Sequence, residues 1–137
     1  MTSTDLSTSD TGIAVAAALL VRLADADFDG LADAFEPELE ALAMLPAGVF
    51  RLPDPATVTA AFRQWFGEVD EYRLTDFGFS RLGSRLHLRW RISVAGGGFG
   101  AARHVVEQHL YCDTGPTGRI ASMSLLCSGF VRERDRG

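Results

Sequence analysis

Residues 103–130 constrain the fold more than any other stretch. They run Arg103-His-Val-Val-Glu-Gln-His-Leu-Tyr-Cys-Asp113, then Thr114-Gly-Pro-Thr-Gly118, then Arg119-Ile-Ala-Ser-Met-Ser-Leu-Leu-Cys-Ser-Gly-Phe130. Two β-forming runs about a Gly/Pro turn predict a long antiparallel hairpin. Alternation sends Val106, Gln108, Leu110 and Cys112 of the first arm to one face. Ala121, Met123, Leu125 and Cys127 of the second arm join them. Each arm therefore sets polar atoms among apolar ones on the face that should point inward.

More β-structure precedes the hairpin. Residues 85–94 alternate cleanly, with Leu86, Leu88, Trp90 and Ile92 on one face and Arg85, His87, Arg89 and Arg91 on the other. Residues 72–80 predict a further strand, and 95–101 a glycine-rich connection. The N-terminal half reads differently. Residues 12–25 predict a helix with Ile13, Ala16, Ala17, Leu20 and Ala24 on one stripe, and residues 28–35 a short second helix capped by Asp27 and stopped by Pro37. Residues 38–45 alternate as well as they favour helix, and are read as a strand; 46–53 is read as a loop. Asp54-Pro55 is a strong helix start, followed by Val58, Ala61, Phe62, Trp65 and Phe66 on one face up to Gly67. Residues 1–11 are expected to be a disordered tail, 12–130 a single domain, and 131–137 a polar tail.

Charge and composition exclude several classes. The net charge of −5 disfavours nucleic-acid binding, which needs a basic surface. The longest N-terminal apolar run, residues 13–21, is too short to span a bilayer and lacks a basic leader. No membrane partner and a cytoplasmic location are expected. Cys112 and Cys127 are expected several positions apart across the hairpin, with Cys112 near Arg119. Both are read as free thiols rather than a disulfide.

The order helix, helix, strand, helix, then four antiparallel strands resembles the nuclear-transport-factor-2-like superfamily, with its SnoaL-like polyketide cyclases and ketosteroid isomerases. The residues that carry this are Asp27-Phe-Asp-Gly-Leu-Ala-Asp-Ala-Phe-Glu-Pro37, Asp54-Pro55 with Phe62 and Trp65-Phe66, and Gly118-Arg-Ile-Ala-Ser-Met123. The resemblance covers roughly residues 12–130. It implies an α+β fold, a curved antiparallel sheet wrapped around N-terminal helices as a cone-shaped, cystatin-like roll. It also implies an apolar pocket lined by Phe35, Trp65, Phe66, Leu88, Trp90, Val106, Leu110, Cys112, Met123, Leu125 and Cys127. The expected ligand is a small hydrophobic molecule. The chain is read as its binder, with any catalysis that of a cofactor-independent cyclase, isomerase or dehydratase-like enzyme. The alternative is a non-catalytic dimeric interaction or accessory module, since members of the resembled family dimerise through the outer sheet face.

Isomerase chemistry of that family needs a base on the first strand, a tyrosine on the first helix and a protonated acid on the penultimate strand. Those positions fall at Ala43 or Met44, near Leu19, and at Gln108. An amide donates a hydrogen bond but transfers no proton near neutral pH, so that activity is not expected. Gln108 is the first candidate site residue, as an orienter of a ligand carbonyl, against a purely structural amide. Asp76 is the acid/base candidate, if strand regularity places it with Tyr72 and Leu74. No metal or cofactor is expected. His87 and His109 would lie opposite each other on the outer face if the connection closes about Gly98, but the arginines there repel a cation. Arg89 and Glu107 are expected to pair across strands. The glycine run 96–100 lacks the Lys-Ser/Thr and the helix of a phosphate loop, and Phe99 is read as lying over the pocket mouth.

Overall fold

The structure is a computed structural model. It describes residues 3–134, with side chains from residue 12 onward. The elements are α1 (Ser3–Ala24), β1 (Phe35–Leu45), β2 (Gly48–Arg51), α2 (Pro55–Phe66), β3 (Glu71–Leu82), β4 (Arg85–Ala95), β5 (His104–Thr114), β6 (Ile120–Cys127) and β7 (Val131–Arg132). The strands form one curved, unclosed sheet in the order β2-β1-β6-β5-β4-β3, with β7 paired to β5. The four long strands β3 to β6 are antiparallel, as expected. β1 joins β6 in parallel, so the sheet is mixed rather than wholly antiparallel.

Helix α1 buries Ala16, Leu19, Leu20 and Leu23 against the sheet. It starts at Ser3, within the segment expected as a tail. Polar residues without Pro or Gly do not oppose helix, and an early Asp suits its first turn. The helix stops where Ala26 takes a left-handed φ of 57°. The second helix is instead a 3-10 turn, Asp29–Ala34, and Phe35 already belongs to β1. Asp27 Oδ1 accepts the Gly30 N–H at 3.0 Å. A Cβ on Gly30 would meet Arg22 Nη1 and Asp27 Oδ2, so a larger residue there would have to move that ion pair.

The ambiguous segment 38–45 is a strand: Leu39, Ala41 and Ala43 go into the core and the residues between them face out. Burial against β6 overrides its helix propensity. The expected loop over 46–53 contains β2, a four-residue strand exposed at every position and so without an alternation signal. Helix α2 has the predicted start, with Asp54 Oδ1 accepting from Thr57 N at 2.8 Å and from Thr57 Oγ1 at 2.7 Å. It buries Val58, Phe62 and Phe66. The polar tail expected from residue 131 begins as β7, with Val131 and Arg132 paired to Val105 and His104; residues 135–137 lie outside those described.

Two irregularities change which side chains face inward. β3 carries a bulge between Leu74 and Asp76. Phe77 and Phe79 then take the positions opposite Trp90 and Leu88, and Asp76 leaves the face of Tyr72 and Leu74. The β5–β6 ladder shifts between Asp113 and Thr114. This puts Ile120 into the core at 1% exposure and leaves Ala121 half-buried, the reverse of the simple alternation.

Candidate functional site

The inner face of β4, β5 and β6 carries one row of polar atoms. Trp90 stands opposite Gln108, and Gln108 opposite Cys127. Gln108 is 1% exposed, as is Trp90. The indole Nε1–H donates to Gln108 Oε1 at 2.7 Å, and Gln108 Nε2 donates to Cys127 Sγ at 3.4 Å. The oxygen thus has a strong donor, while the amide nitrogen points to sulfur, a weak acceptor. Cys127 also takes the Gly129 N–H at 3.5 Å.

An aromatic file joins this row to the surface. Phe99 packs on Phe130 with ring centroids 4.7 Å apart, Phe130 on Phe66 at 5.7 Å, Phe66 on Phe62 at 6.1 Å, and Phe62 on Trp90 at 6.4 Å. Trp65 flanks Phe62 at 5.1 Å. Phe99 therefore lies at the outer end of the file, on a 3-10 turn between glycines with φ of 87° and 68°.

The other residues expected to line a pocket lie in the core. Phe35, Leu88, Val106, Leu110, Cys112, Met123 and Leu125 are buried in the same core. They meet closely. The cavity between Leu19, Leu31, Phe35, Phe62, Leu110 and Met123 has a volume of about 10 Å³, roughly the space of one water. The ligand-sized hollow expected there is filled by side chains.

Among the described residues no carboxylate is buried, and Gln108 is the buried polar residue on this face of the sheet; Thr59 lies on α2, and Ser93 alternates to the outer face with Arg91. Ala43 faces inward where a base was sought, and Leu19 is apolar core. Asp76 does not supply the missing group. The β3 bulge turns it to the outer face, where it is exposed and bound to Arg89 at 2.8 Å. That bond holds its carboxyl below the usual carboxylate range. Burial pushes the Cys112 thiol up to about 12, which leaves it protonated and unreactive. Tyr72 is also spoken for: its hydroxyl donates to the Leu23 carbonyl at 2.6 Å, and burial raises its pKa above the ordinary value.

The outer face is ordered by ion pairs. Arg91 binds Glu107 at 2.8 Å and Arg85 binds Asp113 at 3.0 Å, with Arg89 on Asp76. The expected Arg89–Glu107 pair is not formed, because Glu107 lies opposite Arg91. His87 lies opposite Tyr111 rather than His109. The two imidazoles still meet on the diagonal, stacked at 5.2 Å, with His87 Nε2 2.9 Å from His109 Nδ1. Beside them is an open groove of about 420 Å³ lined by Glu40, Leu42, Arg51, Arg85, Tyr111 and Asp113. Sequence reasoning missed it, because it depends on how β1 and β2 meet β6.

Residues 25–36 have the Asp-x-Asp-x-Asp-Gly…Glu spacing of a calcium loop. Here Arg22 lies 3.5 Å from Asp27 and 3.4 Å from Asp33, while Arg63 holds Asp29 at 3.0 Å. Glu36 accepts from Thr117 instead. No group of three metal-ligating side chains is assembled among the described residues. Among those residues no helix is long and apolar enough to cross a membrane.

No family profile matches the sequence, and no curated protein matches it. Solved structures share its fold. A candidate polyketide cyclase from Xanthomonas campestris pv. campestris superposes with a TM-score of 0.69 at 12% identity, over 87% of this chain and 91% of that one. An NTF2-like protein from Burkholderia xenovorans gives 0.63 at 12%, over 87% and 90%. A protein of ketosteroid isomerase-like fold from Catenulispora acidiphila, solved with trimethylamine, gives 0.63 at 12%, over 81% and 82%.

Proposed function

We propose that this chain, built on the NTF2-like cone fold, binds a small, mainly apolar molecule carrying one hydrogen-bond acceptor. The observation that supports this is the Gln108 amide at the end of the aromatic file, its nitrogen donating to a weak sulfur acceptor. A ligand carbonyl is a better acceptor than a thiol. The ligand would replace the rings of Phe99 and Phe130, which lie outside the long strands and both full helices. Gln108 would orient the molecule through its amide N–H. The fold supports a ligand-binding or cyclase reading only in general terms; Gln108 makes it specific.

The test is thermal unfolding with a panel of planar hydrophobic ketones. Saturation a hundredfold above Kd stabilises the native state by about 2.7 kcal/mol. Gln108→Leu should weaken binding by about tenfold, one lost hydrogen bond. No shift with any compound, in the wild type or in the enlarged Met123→Ala core, rejects the reading.

A second reading is supported by the outer face. Leu42 and Leu126 are each 41% exposed, and Met44 lies opposite Leu126. With Tyr111 they form an apolar strip between the charged strands. We propose that two copies associate through this face as an isologous dimer. Sedimentation of a monomer at tens of micromolar at neutral pH would reject it.

A further inference from the structure

We infer that the outer sheet face is an acid-released interface, in which the His87–His109 pair permits self-association while neutral and opposes it once protonated. This rests on the dimer reading above.

The geometry fixes the direction of every hydrogen bond in the neutral pair. His109 Nε2 lies 3.4 Å from Glu107 Oε2, a carboxylate that only accepts, so His109 carries its proton there. Its Nδ1 is then an acceptor, and His87 Nε2–H donates to it across 2.9 Å. His87 Nδ1 is left to accept from Ser80 Oγ–H at 3.5 Å. The result is a single line from Ser80 through both rings to Glu107, which Arg91 anchors. One added proton can be held without breaking the line, since either ring can donate to the other. A second cannot. Both facing nitrogens would then carry hydrogen, and two like charges would share a 2.9 Å gap.

The other charged groups around the pair are matched by partners. From β3 it is faced by Ser80 and Asp76, from β4 by Arg85, Arg89 and Arg91, and from β5 by Glu107, Tyr111 and Asp113. From β6, Leu126 stands opposite His109 and Ser124 opposite Tyr111, neither of them titratable. The three arginines are matched by Asp76, Glu107 and Asp113. The ion pairs therefore sum to zero charge, and protons on the imidazoles give the face a net positive sign. In a two-fold dimer each copy presents that charge to the other. Tyr111 stacks on His87 at 4.6 Å, which ties the ring positions to the apolar strip. Partial burial, with His109 and Arg89 close by, lowers the His87 pKa, so the neutral form persists at neutral pH.

The experiment is sedimentation velocity of the full chain at pH 7.5 and pH 5.0, for the wild type and for His87→Gln/His109→Gln, whose amides hydrogen-bond but carry no charge. The expected result is a wild-type dimer at pH 7.5, at least tenfold weaker at pH 5.0, and a double variant that associates equally at both. A wild-type dimer of equal strength at both values overturns the switch and leaves the dimer standing. A monomer at both overturns both. Equal acid weakening in the variant overturns the switch, because the acid then acts elsewhere. Should the double variant not fold, imidazole NMR of the wild type decides: ring titration must coincide with dissociation, and ring titration without dissociation overturns the switch.

Discussion

Replacing Gln108 by Leu tests the interior row most sharply. The side chains are close in volume, so the change opens little space. What it removes is the acceptor of the Trp90 N–H, a group 1% exposed that can only donate. A buried donor without a partner costs about 1–3 kcal/mol. For a chain of this size that lowers Tm by roughly 3–10 °C. Trp90→Phe removes the donor but also bulk, and costs about 2–4 kcal/mol through the cavity it leaves beside Phe62. In the double variant the orphaned N–H is gone, so the two costs should fall short of their sum by about 1–2 kcal/mol. Urea unfolding followed by far-UV circular dichroism measures all four corners of the cycle without relying on Trp90 emission. Gln108→Leu within about 0.5 kcal/mol of wild type, or strict additivity, would refute the reasoning.

Other outcomes follow from the same contacts. Cys112 should resist iodoacetamide at pH 8 in the native chain and react after unfolding, since its thiol titrates near 12 when folded; rapid native labelling would contradict its burial. Asp54→Ala should lower Tm while Asp54→Asn keeps most of it, because either oxygen can cap Thr57. Gly30→Ala should destabilise, since its methyl would displace the Arg22–Asp27 pair; unchanged Tm would mean that the pair moves freely. Stability should also fall on acidification in two ranges. His87, with its folded pKa lowered, binds protons more readily unfolded, so stability is complete above about pH 6.5 and declines below it. Glu107 is held low first by Arg91, so its contribution is complete above about pH 4.5 and is lost as pH falls further. A Tm flat from pH 7.5 to 4 would contradict both signs.

How much of this was legible in the sequence depends on parity and register. Strand faces were readable because side chains alternate with period two. Gln108, Val106, Leu110 and Cys112 face inward whether the β4–β5 connection closes about Gly98 or, as found, about Phe99, midway between Val94 and His104. Moving the centre by one residue preserves faces but changes every partner. Parity therefore places Gln108 on the inner face without revealing its bond to Trp90, and a centre at Gly98 gives His87 the neighbour two residues from its true partner, Tyr111. The bulge at Thr75 leaves no mark in composition, and it alone moves Asp76 from the Tyr72 face to Arg89. Helix α2 was legible because its signals are local: an Asp cap, Pro at its first residue and Gly67 after its last. Whether the cone is open or filled could not be read, because it depends on how Met123, Phe62 and Leu31 pack, not on their being apolar.

The most direct test is the crystal structure of the chain soaked with a planar hydrophobic ketone. The account predicts the ligand oxygen within hydrogen-bond reach of Gln108 Nε2, with Phe99 and Phe130 displaced from the file. A ligand seated only in the outer groove by Arg51 and Tyr111, over an unchanged interior, would contradict it.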